Sequence, residues 1–142
     1  MKIRDQEIEE VQREITGFLN NHEEITSSEQ ESLEKVPRLF NMLNQLYMRT
    51  DLSLEAHQQV SSAIRYINSD YDFMPADFSG PVGSIDDIMV AAVVLDKLSA
   101  EMQLEEYCEK TKELKSICSE LISLGRQYLP SRVTQKIMRD FD

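Results

Sequence analysis

A chain of 142 residues with only four glycines and four prolines is long enough to bury one core, and it favours long helices over short strands. Its formal net charge of −11 argues against binding to nucleic acid or to an anionic membrane, since both attract Lys and Arg. A basic protein or a cation is the more natural partner, although acidity also simply keeps proteins soluble. We therefore expect one all-α domain over residues 1–142, a compact bundle of five to six helices.

The first third of the chain predicts two helices. Apolar residues spaced three or four apart predict an amphipathic helix over about residues 3–20. Ser28 and Glu31 have the spacing of a capping box, which predicts the start of a second helix. Pro37 falls inside the apolar stripe of this helix. The second helix is therefore either kinked at Pro37 or begins near it.

Two further helices flank a segment without helical periodicity. Thr50, Asp51 and Ser53 are candidate caps for a third helix, whose apolar pattern fails from Asn68. The pattern resumes at Ser84, which we expect to cap a fourth helix. Residues 88–95 are all apolar, so this helix is expected to be the central and most buried one.

The last part of the chain predicts a long fifth helix from Ser99 to Tyr128. Pro130 then breaks the pattern, and a short, frayed last helix carries Val133 and Ile137.

The two cysteines, Cys108 and Cys118, fall within the predicted fifth helix. Ten residues of helix separate them by roughly 15 Å, which is beyond the reach of a disulfide. They are expected to be small core residues in a reducing compartment. The sequence shows neither a signal peptide nor an apolar run long enough to span a bilayer, so a cytoplasmic location is expected.

The distinctive feature of the sequence is the connection between the third and fourth helices, where five carboxylates occur within 18 residues. Clustered carboxylates are ligands for Ca²⁺ or Mg²⁺, although their spacing here does not fit an EF-hand. The simpler interpretation is that these acids cap helices and turns, because negative charge is stabilised in the first turn of a helix. The candidate metal ligands are Asp70, Asp72, Asp77, Asp86 and Asp87.

Residues 63–92 resemble the YkvA-like bacterial domain of unknown function. The resemblance is carried by Tyr66, by the run Asp72-Phe73-Met74-Pro75, and by the closure Gly83-Ser84-Ile85-Asp86-Asp87. It implies a helical fold and structural roles for Tyr66, Asp72, Pro75, Gly83, Asp86 and Asp87, but no established activity.

The chain departs from the family pattern in three places, the first of which is Asn68-Ser69-Asp70, where a more apolar turn with a proline is usual. Ala76 stands where the family has an acidic residue directly after the proline, and the connection is one residue longer.

Catalytic residues are not predicted. His22 and His57 lie in polar regions without a partner at ligand spacing, and we expect both to be solvated surface residues. The sequence contains neither a nucleophile elbow nor a phosphate-binding glycine loop. A non-enzymatic protein without a cofactor is therefore expected.

Three functions remain open from the sequence. The first is a small acidic protein-binding or regulatory module, similar to an immunity protein or antitoxin, that covers a basic partner protein. The second is a Ca²⁺- or Mg²⁺-binding protein that uses the acids of the connection. The third is a homo-oligomer in which the long fifth helix pairs with its copy.

Overall fold

The computed structural model describes residues 1–69, 85–104 and 113–142, and the regular secondary structure of these residues is entirely helical. Only Lys35 separates the second and third helices, so the described residues form six helices when these two are counted as one broken helix, which confirms the predicted all-α bundle of five to six helices. The helices of the described residues are α1 (Asp5–Asn21), α2 (Ser27–Glu34), α3 (Val36–Tyr47), α4 (Leu54–Asn68), α5 (Ile85–Glu101), α6 (Leu114–Tyr128) and α7 (Ser131–Phe141).

The start of α2 differs from the prediction. The capping box is formed by Thr26, whose side chain accepts a hydrogen bond from the Glu29 amide at 3.1 Å. The Glu29 carboxylate in turn accepts from the Thr26 amide at 2.9 Å. Ser28 lies inside the first turn, and its hydroxyl donates to the Glu120 carboxylate of α6. Thr26 and Ser28 both fit the capping pattern. The Ser28 hydroxyl bonds to Glu120 instead, and Thr26 forms the cap.

The break between α2 and α3 resolves the ambiguity at Pro37. Helix α2 ends at Glu34 and α3 begins at Val36, so that Pro37 lies in the first turn of α3. A proline costs little there because an amide at that position has no partner within the helix. Farther along the chain, the predicted cap Ser53 accepts a hydrogen bond from the amide of Ala56 at 3.1 Å and starts α4.

Helix α5 is the central helix, as predicted. The side chains of residues 88–95 are at most 1% exposed, and α5 packs against α3, α4, α6 and α7. It continues to Glu101, so the prediction that a new helix begins at Ser99 is wrong. Ser99 instead lies within α5 and donates its hydroxyl hydrogen to the carbonyl oxygen of Asp96 at 2.7 Å. A serine can thus bond back within a helix as well as cap one.

The predicted single helix to Tyr128 is also wrong. Glu113 precedes α6 with a φ of 73°, and a residue in this left-handed conformation cannot continue a right-handed helix. The last helix is confirmed as α7, which buries Val133 and Ile137. Within the described ranges, no helix has the length and apolarity needed to cross a membrane.

Candidate functional site

A buried hydrogen bond joins the two ends of the Asp-rich connection. The Tyr66 hydroxyl of α4 donates to Oδ2 of Asp86 in α5 at 2.7 Å. Asp86 is fully buried, and Tyr66 is 8% exposed. The bond spans 20 residues of sequence and therefore fixes the end of α4 beside the beginning of α5. A buried carboxylate needs such a donor because desolvation of an unsatisfied one is costly.

Local sequence explains the positions of both side chains. Asp86 lies in the first turn of α5, where the free amides and the positive end of the helix dipole favour a carboxylate. Tyr66 lies in the last turn of α4, and its ring packs edge-on against Phe141 of α7 with centroids 5.7 Å apart. The pair therefore ties three helices together at one end of the bundle.

The residue at which the connection was predicted to begin, Asn68, is fixed by the amino-terminal segment. Its side-chain amide donates to the Lys2 carbonyl at 2.8 Å, and its side-chain oxygen accepts from the Arg4 amide at 3.2 Å. The Arg4 guanidinium donates to the Asn68 carbonyl at 2.8 Å. Three hydrogen bonds thus hold the end of α4 against residues 2–4.

The predicted site residues fall into two groups. Tyr66, Asp86 and Asp87 are described, and the structure brings Tyr66 and Asp86 together. The first turn of α5 also contains Asp87, as the capping interpretation predicted. The remaining predicted metal and motif residues, Asp70, Asp72, Pro75, Asp77 and Gly83, lie outside the described residues, as does the predicted cap Ser84.

The metal hypothesis stays a prediction. In the part of the chain that the structure describes, no group of three or more His, Cys, Asp or Glu side chains is arranged to hold a metal ion. Three of the five candidate ligands are not among those residues. Melting temperatures with and without Ca²⁺ or Mg²⁺ test the hypothesis, since a ligand that binds only the native state must stabilise it.

His22 is more than a solvated surface residue. Its Nδ1 lies 2.7 Å from the Glu24 carboxylate, and its ring stacks on Phe18 with centroids 4.3 Å apart. The hydrogen bond from His22 lowers the pKa of Glu24 below its ordinary value. The Tyr128 hydroxyl also donates to Glu24, at 3.3 Å, and burial followed by the nearby Glu24 charge raises the pKa of Tyr128. This cluster fixes the α1–α2 turn against the end of α6.

The second histidine also has a neighbour. The His57 ring lies against Tyr47 of α3 with centroids 4.8 Å apart, and its side chain is half-buried. Neither histidine is thus the fully solvated residue that the sequence suggested, because aromatic neighbours on other turns cover one face of each ring.

A groove that the sequence did not reveal lies between α1, α2 and the start of α3, with a volume of about 340 Å³. Ile15 and Leu33 form its buried floor, and Leu19 and Pro37 are half-buried in its walls. We call it the α1–α2 groove. The polar residues around it are Gln12, Thr16, Asn20, Gln30 and Glu34.

Charge is distributed unevenly over the fold. Residues 1–34, which include α1 and α2, carry ten acidic and three basic residues, a formal charge of −7. Residues 114–142, which form α6 and α7, carry three acidic and five basic residues, a formal charge of +2. Residues 35–113 carry thirteen acidic and seven basic residues, a formal charge of −6, so the density of negative charge along the chain is highest over residues 1–34. The signal in the sequence that points to α1 and α2 is the high density of acidic residues in this segment.

The described cysteine behaves as expected. Cys118 is a free thiol buried in α6. Burial, and secondarily the Asp96 carboxylate, raises its pKa to about 12. The thiol is therefore protonated and unreactive at neutral pH. Cys108 lies outside the described residues.

Neither a scan against protein-family models nor searches of curated proteins and of solved structures found a match to this chain. The resemblance of residues 63–92 to the YkvA-like domain stays a hypothesis that rests on the motif itself.

Proposed function

We propose that this protein is a non-enzymatic binding module whose acidic α1–α2 end covers a basic surface of a partner protein. The observation that carries the proposal is the uneven distribution of charge, −7 on the 34 residues 1–34 against −6 on the longer stretch 35–113 and +2 on residues 114–142. Opposite charge on a partner would steer its approach to α1 and α2 and would make association sensitive to salt.

The exposed acids of α1 and α2 are the side chains that would meet the partner. Glu9, Glu10 and Glu31 are all exposed. Carboxylates at the edge of an interface contribute mainly to the rate of association and to specificity. We therefore expect these three side chains to affect the salt dependence of binding more than the stability of the fold.

A comparison of two charge-matched variants tests the proposal. The first replaces Glu9, Glu10 and Glu31 with Gln. The second neutralises three exposed acids on other elements, as Glu55→Gln, Glu101→Gln and Asp142→Asn. Each protein is used to capture partners from a lysate of the source organism over a salt series, and zero-length cross-linking of carboxylates to lysines locates the contact.

The expected result is a basic partner captured at low salt by the wild type and by the second variant but weakly by the first. Cross-links should fall on α1 and α2. Equal capture by both variants, or capture of no partner at low salt, would contradict the proposal.

The homo-oligomer hypothesis loses the feature that motivated it. It depended on a continuous helix from Ser99 to Tyr128, whereas α6 begins at Leu114 and packs on α2, α5 and α7.

A further inference from the structure

We propose that the α1–α2 groove binds an amphipathic basic helix of the partner, with an apolar side chain of that helix inserted between Leu19 and Pro37; this inference rests on the function proposed above. A volume of about 340 Å³ is at the lower end of the range for ligand pockets, which suits one or two large side chains.

The lining of the groove points to an apolar anchor. Ile15 is 4% exposed and Leu33 is fully buried, so the floor is already packed and leaves the walls as the apolar surface that a ligand could cover. Leu19 and Pro37 are half-buried and would lose their remaining exposure to a ligand. Burial of apolar area stabilises a complex by about 25 cal/mol per Å² before the entropic cost of association.

The rim of the groove points to a basic occupant. Glu34 lines the groove, where its carboxylate accepts a hydrogen bond from Gln30 at 3.1 Å. Glu9 is exposed and lies three residues before Gln12, which places it one turn away on the same face of α1. A helix with Lys or Arg beside its apolar stripe would therefore meet the Glu34 carboxylate at the groove and the Glu9 carboxylate one turn beyond it.

The same charges argue against a second copy of this chain in the groove. Another copy would bring segments with formal charges of −7 and −6, and only its +2 segment offers partial complementarity. Two neighbouring helices with a recess between them are also a recurring receptor for a third helix, which anchors through side chains at i and i+4. We therefore assign the groove to a basic helix from a different protein.

The test uses a synthetic amphipathic peptide of Leu and Lys, of about 18 residues so that it can form a helix. One control peptide replaces Leu with Ser at equal charge, and another replaces Lys with Gln. Binding is followed by the fluorescence anisotropy of a dye-labelled peptide and by NMR shift mapping on the ¹⁵N-labelled protein. The protein variants are Thr16→Trp and Gln30→Lys at the groove, with Ser62→Trp on α4 as the matched control.

The three substituted residues are all exposed on helices, so the variants should fold, and circular dichroism checks this. We expect the Leu/Lys peptide to shift amides of the groove residues and both control peptides to bind more weakly. Thr16→Trp should weaken binding about tenfold or more, while Ser62→Trp should leave it unchanged.

Two results would overturn the inference. If Thr16→Trp and Gln30→Lys bind the peptide as the wild type does, the groove is not the site. The proposed function would still stand if the variant at Glu9, Glu10 and Glu31 loses its partner. If that variant keeps its partner, the proposed function fails together with the inference. If light scattering shows a wild-type dimer that Thr16→Trp dissociates, the occupant is a second copy.

Discussion

Met89 of α5 and Gly125 of α6 approach so closely that a Cβ atom on Gly125 would lie 2.6 Å from the Met89 sulfur and 3.1 Å from the Met89 Cβ. Met89 is fully buried, so its side chain cannot swing out into solvent to make room. We expect Gly125→Val to lower the free energy of unfolding by about 1–3 kcal/mol through overpacking. Urea unfolding followed by circular dichroism measures the change.

The opposite result is expected at Gly17, which lies inside α1, where a Cβ atom added to the glycine would meet nothing within 4 Å. Gly17→Ala should raise the free energy of unfolding by about 0.5–1 kcal/mol, because glycine costs conformational entropy inside a helix. The same urea titration serves for both variants. A loss of stability in Gly17→Ala, or no loss in Gly125→Val, would show that the packing of α1 or α6 differs from that described.

The bond from Tyr66 to Asp86 should make a measurable contribution to stability. Tyr66→Phe removes the hydroxyl and leaves a fully buried carboxylate with one donor fewer, which should cost about 1–3 kcal/mol. Tyr128→Phe is the matched control, because its hydroxyl bonds to an exposed carboxylate, that of Glu24. Denaturant unfolding of both variants should show the larger loss in Tyr66→Phe, and equal losses would contradict the buried geometry.

The capping box at Thr26 can be tested against its neighbour. Thr26→Ala should destabilise the protein by about 1 kcal/mol, because the amide of Glu29 loses its acceptor. Ser27→Ala changes an exposed residue in the first turn of α2 and should have little effect. Thermal unfolding monitored by circular dichroism distinguishes the two, and a larger effect at Ser27 would place the cap elsewhere.

Because the Cys118 thiol is buried, we expect the free energy of unfolding to fall in alkali. Burial raises its pKa from 9.0 to about 12, so the unfolded thiol loses its proton at a lower pH than the folded one. The unfolded state then binds fewer protons, and the free energy of unfolding falls as pH rises above about 9. In a Cys108→Ser background, urea unfolding should show a steeper alkaline decline with Cys118 than with Ala at that position. Parallel declines would mean that the thiol is not buried in solution.

Most of the fold could be predicted from the helical periodicity of the sequence. The apolar stripe of α1, the cap at Ser53 and the apolar run of α5 are local signals, and local sequence is enough to detect them. The error at the start of α2 arose because two local solutions were equally good. Thr26 and Ser28 each precede a glutamate by three residues, and the contact of Ser28 with Glu120, 92 residues away, lies beyond any local pattern.

The candidate site was harder to predict from the sequence than the fold. Tyr66 and Asp86 were recognised as motif residues, but their hydrogen bond depends on how α4 and α5 pack, which periodicity does not determine. The left-handed conformation of Glu113 has no sequence signal either, since glycine or asparagine is the usual residue at φ above zero. The α1–α2 groove is formed by three elements and exists only after they assemble.

The amino-terminal segment has a consequence for how the chain folds during synthesis. Ile3 is fully buried and its amide donates to Asn44 at 2.7 Å, while Arg4 bonds to Asn68. These partners follow 41 and 64 residues later, so the segment is synthesised well before α3 and α4, which supply them. Ile3 and Arg4 can thus form these bonds only once α3 and α4 exist, and closure of this long loop is a late step.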